Sequence, residues 1–185
     1  MATDKLLFVI HKHHATALHF DLRLQIGKDM PSWAIPKGPT MDPTQKRLCM
    51  RVDDHKLAYR EFEGNLKEGS EGAGPVMRWD EGYYIAEIET SPGERQLIKD
   101  YAEAQKVMAE GLKKGELKFT LHGKKLQGSF ALIKTKNFPP GSKKDNWLMI
   151  KHKDDHVIPG YDAKKDDISA FSGKTMDQIR ETNKK

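Results

Sequence analysis

Eight short apolar runs, separated by turn sequences, constrain the fold of this chain most strongly. The runs are KLLFVIH, LHFDLRLQI, SWAIPK, RLCMRVD, VMRWDEGYYIAEIET, ELKFTLHG, GSFALIKTK and NWLMIKH. Segments such as GKD, KGPTMDP, EGSEGAGP and HGKKLQG lie between them and carry the glycine and proline that end strands. We therefore predict a mostly β protein in which about eight antiparallel strands form a barrel-like core, with a sandwich as the alternative.

One or two helices are expected to flank this core. In SPGERQLIKDYAEAQKVMAEGLKKG the helix signals are Ser91 as N-cap, Pro92 at the first helical position, Glu94 completing a capping box and Gly115 as terminator. They predict a helix over residues 93–114. The sequence TMDQIRET repeats the capping pattern after Thr175 and predicts a second, shorter helix.

Length and composition bound the class of protein. A chain of 185 residues suits one domain, which we place at residues 1–153, followed by a polar, loosely held C-terminal tail at residues 154–185. A single cysteine, Cys49, excludes an internal disulfide framework. No apolar run approaches the roughly 20 residues of a membrane span, so we expect no membrane partner and a cytoplasmic protein.

The basic residues are distributed unevenly. The net charge is +5, and the segment IKTKNFPPGSKKDNWLMIKHK, residues 133–153, carries six lysines against one aspartate. Such a segment can follow the phosphates of a polyanion, although a solvated lysine-rich loop explains any one of these residues equally well. Moderate basicity suggests a polyanionic substrate without specifying one.

The stretch FVIHKHHATALHFDLRL, residues 8–24, concentrates ligand-type side chains. His19, Asp21 and Arg23 alternate with apolar residues, which predicts a strand with one oily face and one polar face. Side chains on the polar face would lie about 7 Å apart. His13 could fold back as a third ligand, and two imidazoles with one carboxylate would leave open positions on a metal.

A second polar pattern occupies RLCMRVDDHKLAYREFEG. The apolar parity contains Leu48, Met50 and Val52, whereas the other parity contains Arg47, Cys49, Arg51, Asp53 and His55. This polar face is a candidate part of the same site if it lines the same cavity as His19 and Asp21. Tyr59 follows His55 by four residues. Lys37 lies in a stiff Pro-Lys-Gly turn, and EGSEGAG is either a phosphate-binding loop or simply flexible.

Together, KHHATALHFDLRL, SWAIPKGP, KRL, DDHKLAYREFEG, EGAG and WDEG resemble the 3'-phosphoesterase domain of bacterial multidomain DNA ligase D. That family also includes stand-alone archaeal proteins. The resemblance implies a manganese-dependent hydrolase that removes a 3'-terminal ribonucleoside by diester cleavage. It then removes the remaining 3'-phosphate to leave a 3'-hydroxyl for repair.

The resemblance also implies roles for individual residues. The metal positions are His13, His19 and Asp21, and the remaining active-site positions are Arg23, Lys37, Arg47, Asp53, His55 and Tyr59. Mn²⁺ is the implied ion, with Co²⁺ or Zn²⁺ as alternatives. We expect His55 to contact the scissile phosphate, with Asp53 orienting its ring. The family usually has Gln where this chain has His11, so a fourth imidazole is expected near the metal.

The implied substrates are DNA or RNA/DNA 3' ends in a primer-template. A DNA ligase, a polymerase or a Ku-type end-joining protein would act in trans. Two other functions are compatible with single features of the sequence. His19, Asp21 and His55 imitate the triad of a non-haem iron oxygenase, and a basic barrel could serve as a noncatalytic nucleic-acid end-binding module.

Overall fold

The computed structural model describes residues 4–69 and 72–182. Its strands are β1 Leu6–His14, β2 Leu18–Leu24, β3 Asp29–Ile35, β4 Arg47–Lys56, β5 Gly64–Leu66, β6 Gly74–Ser91, β7 Glu94–Ile98, β8 Glu116–Gly123, β9 Gln127–Lys134 and β10 Asn146–Lys151. The helices are α1 Tyr101–Lys114 and α2 Met176–Glu181, with 3-10 turns at Leu57–Glu61 and Ala163–Lys165.

Eight antiparallel strands close into a barrel. Their order is β1-β2-β3-β4-β10-β9-β8-β6, and β6 pairs back with β1. The short strands β5 and β7 pair with β6 outside this circuit. Each of the eight apolar runs of the sequence forms one strand of the barrel, so the predicted barrel-like core is confirmed.

Alternation along β2 places its apolar parity inside the barrel. Phe20, Leu22 and Leu24 are fully buried in the main hydrophobic cluster, together with the large side chains of Trp33 and Trp147. Burying one such side chain contributes about 1.5–3 kcal/mol, so this interior fixes the register of the strand. The opposite parity of β2 therefore faces outward, as the sequence predicts.

The predicted start of the long helix is wrong. Ser91 ends β6, and its hydroxyl donates to the Glu94 carboxylate over 2.8 Å across a hairpin turn that leads into β7. The helix begins only at Tyr101, where the Asp100 carboxylate caps it by accepting from the Glu103 amide over 2.9 Å. The predicted terminator is confirmed, because Gly115 adopts a left-handed φ of 85°.

The two faces of β4 do not follow the polar and apolar parities of its sequence. Cys49 lies in the barrel core, whereas the side chain of Val52 is 37% exposed. Met30 pairs with His55, and Ser32 pairs with Val52. Between these two pairs β4 therefore contains one more residue than β3. This bulge moves His55 onto the outer face, away from the parity that holds Cys49.

The segment after Lys153 is not loosely held in its described part. Ala163, Met176 and Ile179 are buried in the hydrophobic core. The Asp167 carboxylate pairs with the buried Lys12 ammonium at 2.9 Å. Thr175 caps α2 with the predicted capping box. The boundary at residue 153 stays a prediction, and no helix among the described residues is long and apolar enough to cross a membrane.

Candidate metal and phosphate site

Pairing of β1 with β2 assembles the three predicted metal ligands. The register sets His13 opposite His19, and His11 opposite Asp21. One ligand atom from each of His13, His19 and Asp21 lies within 4.8 Å of the other two. Among the described residues this is the one group of three or more His, Cys, Asp or Glu side chains that could hold a metal ion.

The His13 ring carries the clearest mark of a ligand site. Among residues 4–69 and 72–182 its buried Nε2 atom has no hydrogen-bond partner, and its ring meets the His19 ring edge-on at 5.0 Å. Burial, followed by the nearby His19, lowers the pKa of His13, so the ring is neutral near pH 7. A buried ring nitrogen without a partner is costly unless something binds it, and a metal ion would do so.

His19 and Asp21 complete the donor set. His19 Nε2 lies 3.1 Å from Asp21 Oδ2, and its Nδ1 lies 3.3 Å from the Ala17 carbonyl oxygen. The hydrogen bond with Asp21 raises the pKa of His19. Burial acts to raise the pKa of Asp21, but the hydrogen bond from His19 and the Arg23 charge outweigh it and leave that pKa lowered. The site therefore combines two imidazoles with an ionised carboxylate, which fits a divalent transition metal.

Arg23 connects this cluster to the rest of the site. The residue is only 4% exposed. Its Nε donates to His11 Nδ1 over 3.0 Å, one terminal nitrogen donates to His55 Nδ1 over 3.1 Å, and the other donates to Asp21 Oδ2 over 3.5 Å. The guanidinium carbon also lies 5.1 Å from the centre of the Tyr59 ring. These contacts hold a positive charge immediately beside the metal cluster.

The neighbours of His11 define its tautomer. Because an arginine nitrogen can only donate, Nδ1 of His11 accepts from Arg23. Nε2 then carries the proton and donates to the Phe62 carbonyl oxygen over 3.0 Å. Burial and the charge of Arg23 lower the pKa of His11 to about 3. Both nitrogens are engaged, so His11 positions the arginine and has no free nitrogen to offer the candidate metal cluster.

His55 reaches the same guanidinium from β4. Since its Nδ1 accepts from Arg23, the neutral ring carries its proton on Nε2 and can donate outward. Burial and Arg23 lower the pKa of His55. The ring packs against Tyr59 at 4.7 Å between centroids, and Tyr59 in turn stacks on Phe62 at 5.3 Å. Within the described residues the exposed carboxylate of Asp53 makes no hydrogen bond to this ring, and its backbone carbonyl oxygen lies 3.1 Å from Nδ1.

Lys37 and Arg47 lie together at the end of the sheet where β2 begins. Ile35 of β3 pairs with Phe20 of β2, and the exposed Lys37 lies in the turn two residues beyond this pair. Arg47 donates from Nε to the Gly38 carbonyl oxygen over 3.1 Å. Among the described residues the hydrogen bonds of Arg47 hold this turn rather than reach the metal ligands.

Two contributors were not visible in the sequence. The Phe62 carbonyl that fixes His11 lies 51 positions away, and no local pattern announces such a contact. Gly72 makes a backbone hydrogen bond with His13, and a Cβ at this left-handed position would lie 3.4 Å from the ring. Ser70 and Glu71, the centre of the suggested phosphate-binding loop, lie outside the described residues.

Comparisons with known proteins identify the family of the chain. The family model for the DNA ligase D 3'-phosphoesterase domain matches residues 11–134. The multifunctional non-homologous end joining protein LigD of Pseudomonas aeruginosa is 39% identical over 153 residues, which are 83% of this chain and 16% of that protein. The protein of the same name from Mycolicibacterium smegmatis is 36% identical over 147 residues, or 80% and 17%.

The multifunctional non-homologous end joining DNA repair protein LigD of Mycobacterium tuberculosis is 31% identical over 157 residues, covering 84% of this chain and 17% of that protein. The chain thus spans about a sixth of the length of the curated relatives it matches. The matched family region includes every residue of the site described above. The chain belongs to the DNA ligase D 3'-phosphoesterase domain family.

Proposed function

We propose that this chain is a divalent-metal-dependent phosphoesterase that processes nucleic-acid 3' ends. It would release a 3'-terminal ribonucleoside and then remove the remaining 3'-phosphate, which generates a 3'-hydroxyl for repair. One observation carries the proposal: the Arg23 guanidinium lies directly beside the cluster of three candidate ligands, which includes the buried His13 Nε2. A phosphate ester needs both charge neutralisation and a fixed anion contact.

His13, His19 and Asp21 would hold the ion, which we propose to be Mn²⁺, with Co²⁺ or Zn²⁺ as alternatives. When bound, such an ion supplies Lewis acidity toward a phosphoryl oxygen and acidifies water. Mixed nitrogen and oxygen ligands suit these metals, and availability decides among them. The hydrogen bond from His19 to the Ala17 carbonyl keeps the other ring nitrogen directed at the cluster.

Arg23 would bind nonbridging phosphate oxygens. Its side chain is pre-positioned by His11, His55 and Asp21, so little ordering is required when the phosphate arrives. His55 would donate from Nε2 to the phosphate or to the leaving oxygen, because its Nδ1 is already engaged by Arg23. Tyr59 keeps the His55 ring in place by packing against it.

Lys37 would supply a mobile positive charge for the phosphate at the edge of the site. Its exposed position in the turn bound by Arg47 suits such a role. Arg47 would act through this turn, since its guanidinium hydrogen bonds to Gly38. For Asp53 we propose an indirect role, in which its negative charge acts to raise the pKa of the nearby His55.

The substrates would be DNA or RNA/DNA 3' ends, including a primer-template. The names of the relatives describe multifunctional proteins of non-homologous end joining. By analogy, a DNA ligase, a polymerase or a Ku-type end-joining protein would act with this chain in trans, and the reaction would take place in the cytoplasm.

The alternative functions gain no specific support. An iron triad of His19, Asp21 and His55 would require the His55 ring to face the metal, but its Nδ1 is turned toward Arg23, and the ligand cluster contains His13 instead. A noncatalytic end-binding module has no need of a buried, unpaired imidazole nitrogen.

One assay tests the proposed function. A 5'-labelled primer-template ending in a single ribonucleotide is incubated with chelated protein, with and without added Mn²⁺, and the products are resolved by length and by end group. We expect the 3'-phosphate and then the 3'-hydroxyl product only when metal is present, and neither with Asp21→Ala. Full turnover after exhaustive chelation would overturn the metal dependence, and no turnover with any divalent ion would overturn the function.

A further inference from the structure

The loop between β9 and β10 presents an aromatic ring among lysines. We call residues 134–145 the aromatic-lysine loop. The Phe138 side chain is 49% exposed, although large aromatic residues are normally buried. The exposed lysines of the loop are Lys134, Lys136, Lys143 and Lys144. An exposed ring bordered by several cations is the combination that binds nucleic-acid strands, because bases stack on the ring and phosphates contact the lysines.

Hydrogen bonds hold the aromatic-lysine loop in one conformation. The buried Asn146 side chain donates from Nδ2 to the Phe138 carbonyl oxygen over 3.0 Å and to Ser142 Oγ over 2.9 Å. The Gly141 amide donates to Asn137 Oδ1 over 2.8 Å. These bonds restrain the backbone around Phe138, which reduces the ordering cost when its ring binds a partner.

The register of the sheet relates this loop to the metal cluster. Asn146 pairs with Met50, Met50 with Ala34, and Ala34 with Asp21. Three strand spacings of about 4.8 Å place the base of the loop roughly 14 Å from Asp21 along the barrel. Met50 and Ala34 lie between them and are partly exposed, so an apolar surface joins the two places.

The lysines of the loop are mostly free of acidic partners. Asp145 lies 3.5 Å from Lys134 and accepts from the Trp147 ring nitrogen over 2.9 Å. Within the described part of the chain, Lys136, Lys143 and Lys144 make no ion pair. The loop thus keeps a net positive charge that is not neutralised by the part of the chain that the structure describes.

We propose that the aromatic-lysine loop binds the nucleic-acid strand whose 3' end occupies the metal site. Phe138 stacks on a base, and Lys136, Lys143 and Lys144 contact the phosphates beside it. At about 3.4 Å per nucleotide, a distance of roughly 14 Å corresponds to about four nucleotides from the 3' end. This inference rests on the proposed function, and it identifies a second contact region that only longer strands can reach.

The test varies strand length and the loop together. Binding of 5'-fluorescein oligodeoxynucleotides of 3, 6 and 12 nucleotides, each with a 3'-phosphate, is measured by anisotropy for the full chain. Phe138→Ala and Lys143→Glu/Lys144→Glu are compared with Lys99→Glu/Lys106→Glu, which makes the same charge change at exposed lysines around α1. Thermal unfolding checks that each variant is folded.

We expect Phe138→Ala to weaken binding of the 12-nucleotide strand at least about fivefold and to leave the 3-nucleotide strand unchanged. Reversal at Lys143 and Lys144 should also lower the salt dependence of binding to the longer strand, whereas the control pair should not. The inference would be overturned if wild type and loop variants bound with equal affinity at every strand length, or if the control pair lost as much affinity as the loop variants. A protein would then be the better candidate for the partner of this loop.

Failure of the proposed function gives a different result. If the loop variants lose affinity only for longer strands but no divalent ion supports hydrolysis, the binding surface stands and the phosphoesterase proposal fails. If the 3-nucleotide substrate is hydrolysed and the loop variants bind all lengths like the wild type, the function stands and the inference fails.

Discussion

Nε of Arg23 donates a hydrogen bond to Nδ1 of His11 over 3.0 Å, and this contact sets the direction of the guanidinium beside the candidate metal cluster. His11 can accept because its other ring nitrogen donates to the Phe62 carbonyl oxygen over 3.0 Å. The imidazole therefore acts as a neutral spacer between the backbone and a buried cation. An amide side chain offers the same pair of functions, an acceptor oxygen and an N–H donor.

This relationship predicts different outcomes for two substitutions of His11. His11→Ala leaves the buried Arg23 Nε without its acceptor, which should cost about 1–3 kcal/mol of unfolding free energy and reduce turnover. His11→Gln should retain most of the unfolding free energy and most of the turnover, because the amide oxygen of Gln can accept from Arg23. Urea unfolding and single-turnover hydrolysis, with metal content as a control, measure these effects. Equal losses in the two variants would show that the hydrogen bond to Arg23 is not what His11 supplies.

The same residue predicts a pH dependence of stability in chelated, metal-free protein. The pKa of His11 is lowered from 6.5 to about 3 by burial and by Arg23. Below pH 6.5 the unfolded chain binds a proton at His11 that the folded protein does not, so acid destabilises the fold. At pH 5 the wild type should lose about 2 kcal/mol from this group relative to pH 7, and His11→Gln should not. Parallel stability profiles for the two proteins would contradict this.

The unpaired nitrogen of His13 predicts a separation between stability and metal binding. Among the described residues Nε2 has no hydrogen-bond partner, so His13→Ala removes only ring packing and the hydrogen bond with the Gly72 backbone from the metal-free fold. It should, however, abolish the increase in Tm that added Mn²⁺ gives the wild type. Scanning calorimetry with and without Mn²⁺ measures both. A variant that keeps the full metal-dependent increase would remove His13 from the ligand set.

Arg47 should behave differently from the ligands. Because its guanidinium binds the Gly38 carbonyl, Arg47→Ala should loosen the turn that carries Lys37 and leave the metal-induced increase in Tm unchanged. We expect about a tenfold lower kcat/KM for 3'-phosphate removal, equivalent to one lost charge-assisted contact of about 1.4 kcal/mol. Lys37→Ala should give a loss of the same order, and the double variant should lose less than the sum. Full additivity would indicate two independent roles.

Local patterns predicted the strands well, because period-two alternation and turn residues act over a few positions. They failed where two structures satisfy the same pattern. Ser91 and Glu94 are compatible with a capping box, but they form a hairpin turn because β7 can pair with β6. Likewise, alternation along β4 could not indicate that Cys49 lies inside.

In the candidate site, too, local features could be predicted from the sequence and contacts with distant segments could not. The clustering of the candidate ligands His13, His19 and Asp21 could be predicted, since they lie on adjacent strands joined by a short turn. The environment of His11 could not, because it depends on Phe62 from a distant segment. His55 reaches Arg23 only through a bulge in β4, which no residue pattern marks.

A last prediction concerns the C-terminal segment, whose polar composition suggested a loosely held tail. Ile179 of α2 is 1% exposed in the core, whereas Ile168 of the same segment is 46% exposed. Ile179→Ala should therefore cost about 2–5 kcal/mol, because it removes buried methylene groups and leaves a cavity. Ile168→Ala is the matched control and should change stability by less than about 0.5 kcal/mol. Urea unfolding of both variants decides the question. Small effects in both would mean that the segment does not pack against the barrel in solution, and a large effect confined to Ile179 would establish it as part of the folded unit.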